Sequence, residues 1–221
     1  MEAIDIVPEK FDFPKECFEI PERFKPYVES ILLPAGLIQS RWERIAARVI
    51  QDFKGCKELH IVTLMNGGYR FYEDLKTSID AQLSYLKGSN VMRIVPHFVK
   101  VSSYKGINST GVLKGAEQLE ALPLQGKHVL LVEDMIDTGL TMSLILAKVK
   151  AMKPKTLKLA VAFFKKTERN VHMTERFVAD YTGFLVPELF VIGYGMDIDG
   201  HFRDLPHLCI VNELGKKTYV K

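Results

Sequence analysis

The stretch His128 to Val132, "HVLLV", runs straight into acids and a Thr-Gly pair, and then into "LTMSLILAKVKAM" (Leu140 to Met152), which ends before Pro154 and reads as a helix. An apolar run this short suits a strand buried on both faces, and such strands belong to parallel sheets covered by helices. The alternation recurs along the chain. "LHIVTL" (Leu59 to Leu64) is β-rich, breaks at Asn66-Gly67-Gly68, and gives way to the helix-like "YRFYEDLKTSIDAQL". "LKLAVAFF" (Leu157 to Phe164), "LFVIGYG" (Leu189 to Gly195) and "LCIV" (Leu208 to Val211) read as further strands. Strands alternating with helices predict an α/β fold with a parallel-sheet core and ligands at the carboxyl ends of the strands.

Other segments are less regular. Ile38, Trp42, Ile45, Ala46, Val49, Ile50 and Phe53 recur at steps of three and four, which predicts a helix stopped by Gly55. Val91 to Val101 is extended but holds Pro96, so it is expected at a sheet edge. Residues 102–111, "SSYKGINSTG", are nearly all turn formers and are expected to form a mobile loop. Residues 1–35 carry prolines and short apolar pieces, the pattern of an irregular arm wrapped on the domain. A length of 221 residues accommodates one well-formed core, so residues 1–221 are expected to be a single domain.

Composition removes several function classes. The net charge of +3 suits a small acidic ligand and lacks the dense basic stripe of a nucleic-acid binder. No apolar run approaches the roughly 20 residues needed to cross a bilayer, so no membrane role is expected. Cys17, Cys56 and Cys209 are odd in number, far apart and without zinc-type spacing. A reducing, cytosolic compartment is the expectation.

The chemistry concentrates in "VEDMIDTG" (Val132 to Gly139) and the residues that follow. A helix opening at Thr138, Gly139 and Thr141 offers unpaired backbone donors and hydroxyls to a phosphate. Glu133 and Asp134 repel phosphate, but carboxylates accept hydrogen bonds from a sugar diol or hold Mg²⁺. A ribose 5-phosphate meets both demands. The plainer reading is an acidic turn that caps the next helix; the acids together with Thr-Gly directly after a buried strand favour a site.

This stretch resembles the phosphoribosyl-pyrophosphate (PRPP) signature of type I phosphoribosyltransferases, and the wider chain resembles their hypoxanthine-guanine branch. "LMNGGY" is similar to the family's pyrophosphate loop, "SYKGINSTG" to its catalytic loop, "FFKKTER" to the strand end bearing a base-contacting lysine, and "LFVIGYGMDIDGHFRDL" to its purine pocket. The resemblance covers most of the chain after about Ile31. It implies a parallel-sheet core with a small hood built from the N-terminal arm and the C-terminal segment. It also implies Mg²⁺-dependent transfer of phosphoribose from PRPP to a 6-oxopurine, giving GMP or IMP and pyrophosphate, in a homodimer or homotetramer.

The roles it implies are specific. Asp137 is the general acid/base at purine N7. Glu133 and Asp134 hold the ribose hydroxyls, and Thr138, Gly139, Leu140 and Thr141 cradle the 5′-phosphate. Lys165 donates to the exocyclic oxygen of the purine, which favours guanine and hypoxanthine over adenine. Phe190 stacks on the base, and Val191 reads its edge through backbone groups. Asn66 and Gly67 form the pyrophosphate loop, where the resemblance implies a cis peptide, expected at Asn66-Gly67. Arg203 binds pyrophosphate, Asp197 and secondarily Asp134 are the Mg²⁺ ligands, and Ser103 and Tyr104 close over the reacting groups. The chain departs from its relatives at Asn66, Ser102, Leu140 and Leu189, positions that commonly carry lysine. Losing those cations implies weaker PRPP binding, or the alternative of a non-catalytic PRPP- or nucleotide-binding regulatory paralogue.

Overall fold

The computed structural model describes residues 2–85, 92–103, 113–167 and 179–220. Its centre is a six-stranded sheet built from β1 (Ile4–Asp5), β3 (Glu58–Leu64), β4 (Arg93–Val99), β7 (His128–Ile136), β8 (Thr156–Lys165) and β9 (Tyr181–Val186). The spatial order is β1-β9-β8-β7-β3-β4, and every pairing is parallel. All six strands therefore deliver their carboxyl ends to one edge. β4 lies at the margin, where the missing N–H of Pro96 is tolerated.

Helices cover both faces. α1 (Ala35–Asp52) and α2 (Gly68–Ser84) pack Ile38, Trp42, Ile45, Val49, Phe71 and Leu75 against the alternating Leu59, Ile61, Leu130, Val132, Ala160 and Ala162 of the sheet. α3 (Ala116–Glu120) and α4 (Leu140–Ala151) bury Leu119, Met142, Ile145 and Val149 against the opposite set, Val62, Val129, Leu131, Leu159 and Val161. The two-residue period of the strands sorts these residues to opposite faces. Each fully buried aliphatic or aromatic side chain contributes about 1.5–3 kcal/mol relative to exposure.

A separate antiparallel sheet forms a hood: β10 (Val191–Ile192), β11 (Leu208–Val211) and β2 (Val28–Leu33), with α5 (Glu213–Tyr219) following. Its core is Ile20, Phe24, Val28, Ile31, Ile192, Phe202, Cys209 and Val211. β5 (Ser102–Ser103) and β6 (Leu113–Lys114) form a short antiparallel pair.

Three expectations need correction. The first 35 residues are more ordered than an irregular arm: β1 joins the parallel sheet beside β9, three short 3-10 turns follow, and β2 is a six-residue hood strand. Short apolar pieces between prolines find partners only in tertiary structure, so their local pattern is weak. "LFVIGYG" and "LCIV" supply hood strands rather than strands of the parallel sheet, and only Val191 and Ile192 of the first are extended. The sixth strand of the parallel sheet is instead "YTGFLV", β9, disguised by Gly183. A Cβ there would lie 2.5 Å from both the Trp42 ring and the Ala162 carbonyl oxygen, so close packing of α1 on the sheet requires glycine.

Candidate active site at the carboxyl edge of the sheet

β7 runs further than its apolar run. Glu133 pairs with Val161, Met135 with Phe163 and Ile136 with Phe164, so Glu133 and Asp134 are held in the strand rather than in the loop after it. Pairing with β8 overrides the low strand propensity of the two acids. The Asp134 carboxylate turns back to accept from the Met135 amide at 2.7 Å. Burial pushes the Glu133 carboxyl well above the usual carboxylate range, and the adjoining Asp134 carboxylate raises it further.

Asp137 and Thr138 follow, both half-buried, and Gly139 then opens α4 with φ 75° and ψ −3°. Left-handed backbone at this point favours glycine. The Gly139 carbonyl accepts from the Ser143 amide at 2.9 Å and the Ser143 hydroxyl at 3.1 Å, fixing the first turn. α4 thus begins immediately beyond the sheet edge, where its unpaired amides and dipole favour an anion. Thr138, Gly139, Leu140 and Thr141 surround that helix start. Leu140 is 58% exposed, an apolar side chain on the rim of the cradle.

The loop after β3 reaches the same place. Met65-Asn66 is the cis peptide, one bond earlier than expected. Gly67 already has helical angles (φ −62°, ψ −45°), so the change of direction falls upstream of it. A Cβ on Gly67 would sit 1.5 Å from Asp134 Oδ2, and one on Gly68 would sit 3.3 Å from the Val132 carbonyl oxygen. Only glycine lets this loop lie directly against the end of β7. Asn66 is exposed at its tip.

The third contributor is the turn from Tyr194 to Arg203. A Cβ on Gly195, whose φ is 90°, would approach the Gly67 carbonyl oxygen to 2.7 Å. Arg203 donates from Nη1 to the Gly195 carbonyl at 2.6 Å, and its Nη2 pairs with Asp197 Oδ1 at 2.6 Å. Asp197 Oδ2 accepts from the Gly200 amide at 2.6 Å. Asp197 and Arg203 are therefore locked to one another beside the glycine loop.

Lys165 closes β8 level with Val186 of β9, half-buried at the same edge. Phe190 is 43% exposed, Val191 is buried, and the Phe190 carbonyl accepts from the Val211 amide at 3.2 Å. Leu189 packs against the core between the sheet and α1 and α2 rather than extending into solvent. Ser103 lies in β5 opposite Leu113; Tyr104 and the rest of the expected catalytic loop, through residue 111, lie outside the described residues.

The structure also brings in residues that sequence reasoning passed over. Tyr194 is 2% exposed; its hydroxyl donates to Asp74 Oδ2 at 2.7 Å and accepts from Trp42 Nε1. Arg70 Nε pairs with the same Asp74 oxygen at 3.1 Å. The i,i+4 spacing of Arg70 and Asp74 on α2 was the only local signal, and it reads as an ordinary surface pair.

Known proteins match this arrangement. A phosphoribosyl transferase domain model matches residues 30–199. The hypoxanthine-guanine phosphoribosyltransferase of Rattus norvegicus is 39% identical over 213 residues, covering 92% of this chain and 90% of that protein. The Homo sapiens enzyme of the same name is 38% identical over 213 residues, covering 92% of this chain and 90% of its own length. A crystal structure of the Schistosoma mansoni hypoxanthine-guanine phosphoribosyltransferase in complex with IMP superposes with a TM-score of 0.80 at 26% identity, covering 99% of this chain and 100% of that one. On its sequence and its architecture alike, the chain belongs to the phosphoribosyltransferase family, in the hypoxanthine-guanine branch.

Proposed function

We propose that this protein is a purine-salvage enzyme that transfers the 5-phosphoribosyl group of PRPP to hypoxanthine or guanine, forming IMP or GMP and releasing pyrophosphate. The observation that carries this reading is the meeting of three elements at one sheet edge: the acidic end of β7 with the α4 helix start, the loop at Asn66-Gly67-Gly68, and the turn bearing Asp197 and Arg203. The first suits a ribose 5-phosphate, and the other two suit a second, pyrophosphate-sized group beside it.

In this reading the bond from C1 of the ribose to the pyrophosphate oxygen breaks while a bond to the purine forms. Asp137 accepts the proton from purine N7, and Lys165 donates to the 6-oxo group. Glu133 and Asp134 hold the ribose hydroxyls, and Phe190 covers the base. Positive charge developing on the sugar lies near the β7 carboxylates, and negative charge on the leaving group lies near Arg203 and the glycine-loop amides.

Mg²⁺ fits this donor set as a shared ligand. Among the described residues no group of three or more His, Cys, Asp or Glu side chains is placed to hold a metal alone. Magnesium, however, takes one or two carboxylates and completes its shell with water and substrate phosphate oxygens. Asp197, with Asp134 second, supplies that hard oxygen. Bound there, the ion would offset the charge of the pyrophosphate.

A homodimer or homotetramer accords with the aromatic cluster at the β4 margin, where Tyr69 and Phe98 are exposed with ring centroids 5.7 Å apart. A cytosolic setting accords with Cys17, Cys56 and Cys209 all being free thiols. No helix among the described residues is long and apolar enough to cross a membrane. A regulatory, non-catalytic role is not favoured, because Asp137, Lys165, Asp197 and Arg203 are all retained.

The test is an absorbance assay with PRPP and Mg²⁺ against hypoxanthine, guanine, xanthine and adenine separately. Turnover of an oxopurine but not of adenine is expected. Turnover of adenine at a comparable rate, or of no base while GMP still raises the melting temperature, would overturn the assignment.

A further inference from the structure

We infer that Asp74 and Tyr194 are positioning residues that set the spacing between the glycine loop at Asn66-Gly67-Gly68 and the Asp197–Arg203 turn, and thereby set affinity for pyrophosphate. The inference rests on the proposed function in one respect: it takes these two elements as the pyrophosphate-handling side of the site. Asp74 is one and a half turns into α2, and Tyr194 is buried.

Gly193, Tyr194 and Gly195 have φ of 85°, 50° and 90°, three left-handed residues in a row. Tyrosine at positive φ is strained and persists only where its surroundings over-determine it. Here they do. The Tyr194 amide donates to the Leu205 carbonyl at 2.8 Å, and the buried hydroxyl is held between Trp42 Nε1 and Asp74 Oδ2. Burial, reinforced by the Asp74 carboxylate, keeps that hydroxyl protonated, so it donates to Asp74. Arg70 binds the same carboxylate, and its guanidinium lies 5.8 Å from the centre of the Tyr194 ring.

These contacts tie together residues on both sides of one close approach. Arg70 is two residues past Gly68, and Gly195 directly follows Tyr194. Gly195 is where the turn meets the loop: a Cβ there would lie 2.7 Å from the Gly67 carbonyl oxygen and 3.2 Å from Arg70 Cβ. Gly195 also carries the hydrogen bond to Arg203, which in turn holds Asp197. From Asp74 to the Asp197 carboxylate the chain of contacts is continuous, and Asp74 is the α2 residue in it that hydrogen-bonds to the turn, with Arg70 bound to the same carboxylate. The Asp74 carboxylate therefore fixes how far the glycine-loop amides stand from Arg203 and Asp197.

The experiment compares wild-type protein with Tyr194→Phe and Asp74→Asn. Inorganic pyrophosphate with Mg²⁺ is titrated calorimetrically, GMP is titrated separately, and KM values for PRPP and hypoxanthine are measured alongside. Tyr194→Phe keeps the ring and removes only the anchoring hydroxyl. Displacing bound groups by a fraction of an ångström is expected to weaken pyrophosphate binding and raise the PRPP KM by about tenfold. GMP affinity and the hypoxanthine KM should stay within about twofold, and Asp74→Glu should restore part of the loss that Asp74→Asn causes. Equal losses for pyrophosphate and GMP, or a fall in melting temperature with pyrophosphate affinity unchanged, would assign the pair to general stability and overturn the inference. Wild-type protein that does not bind pyrophosphate would overturn it too. Wild-type protein that binds pyrophosphate but turns over no oxopurine would defeat the proposed reaction alone, leaving the spacing role to be judged on the pyrophosphate titration.

Discussion

The two anion-handling sides of the site are built in different ways. The 5′-phosphate side is local: Thr138 to Thr141 are consecutive, and the turn after β7 and the start of α4 place them within one short segment of chain. The pyrophosphate side is assembled from two widely separated segments, with Tyr194 and Asp74 meeting across 120 residues and Gly195 pressed on Gly67. A local device tolerates drift elsewhere in the molecule. An assembled one depends on core packing, because its parts have no covalent shortcut.

The largest expected effect separates chemistry from both sides. Asp137→Asn should lower kcat by about 10²–10⁴ while leaving affinity for GMP and for pyrophosphate close to wild type. A parallel loss of binding would mean that Asp137 holds the cradle together rather than moving a proton.

Next is Gly67→Ala. Its methyl would need to occupy the space of the Asp134 carboxylate, 1.5 Å away, so the loop or that carboxylate must shift. kcat/KM for PRPP should fall by about 10² while GMP binding is much less affected. If GMP binding falls equally, the two sides are one unit and the contrast drawn above is wrong.

Gly139→Ala probes the local side. Left-handed backbone at φ 75° costs alanine about 1 kcal/mol, and for a chain of this size that is roughly 2–4 °C in melting temperature. Calorimetry should show that small shift together with a loss of GMP affinity that exceeds the loss of pyrophosphate affinity.

The smallest effect lies away from the site. His60 Nδ1 and His97 Nε2 are 2.9 Å apart with stacked rings, and burial holds both imidazoles below their usual range. For His60 the Lys127 charge adds to that depression, and for His97 the His60 ring does. The unfolded chain then binds more protons than the folded one below about pH 6.5, so stability present at neutral pH is lost as pH falls through the depressed values. His97→Gln should flatten the fall in melting temperature between pH 7 and 5. An unchanged slope would place the acid sensitivity elsewhere.

The same contrast governs what the sequence discloses. The β7–α4 segment is legible because its period, turn residues and acids are contiguous, and the helix at α1 is legible from its apolar spacing. β9 is not, since Gly183 breaks the strand pattern for a reason visible only once Trp42 lies against it. Of the hood strands, β10 and β11 are recognisable as strands but β2 is not, and their partners are hidden because antiparallel pairing of β2 with β11 is decided across most of the chain. Nothing local distinguishes Arg70 and Asp74 from a solvated i,i+4 pair. Their role depends on where Tyr194 arrives.

The most direct test of the account is pyrophosphorolysis of IMP by the wild-type protein with Mg²⁺, because it needs both sides occupied at once. The prediction is pyrophosphate-dependent release of hypoxanthine with formation of PRPP, abolished in Asp137→Asn. IMP that binds but is never cleaved at any pyrophosphate concentration would contradict it, leaving a nucleotide site without the assembled partner on which the proposed reaction depends.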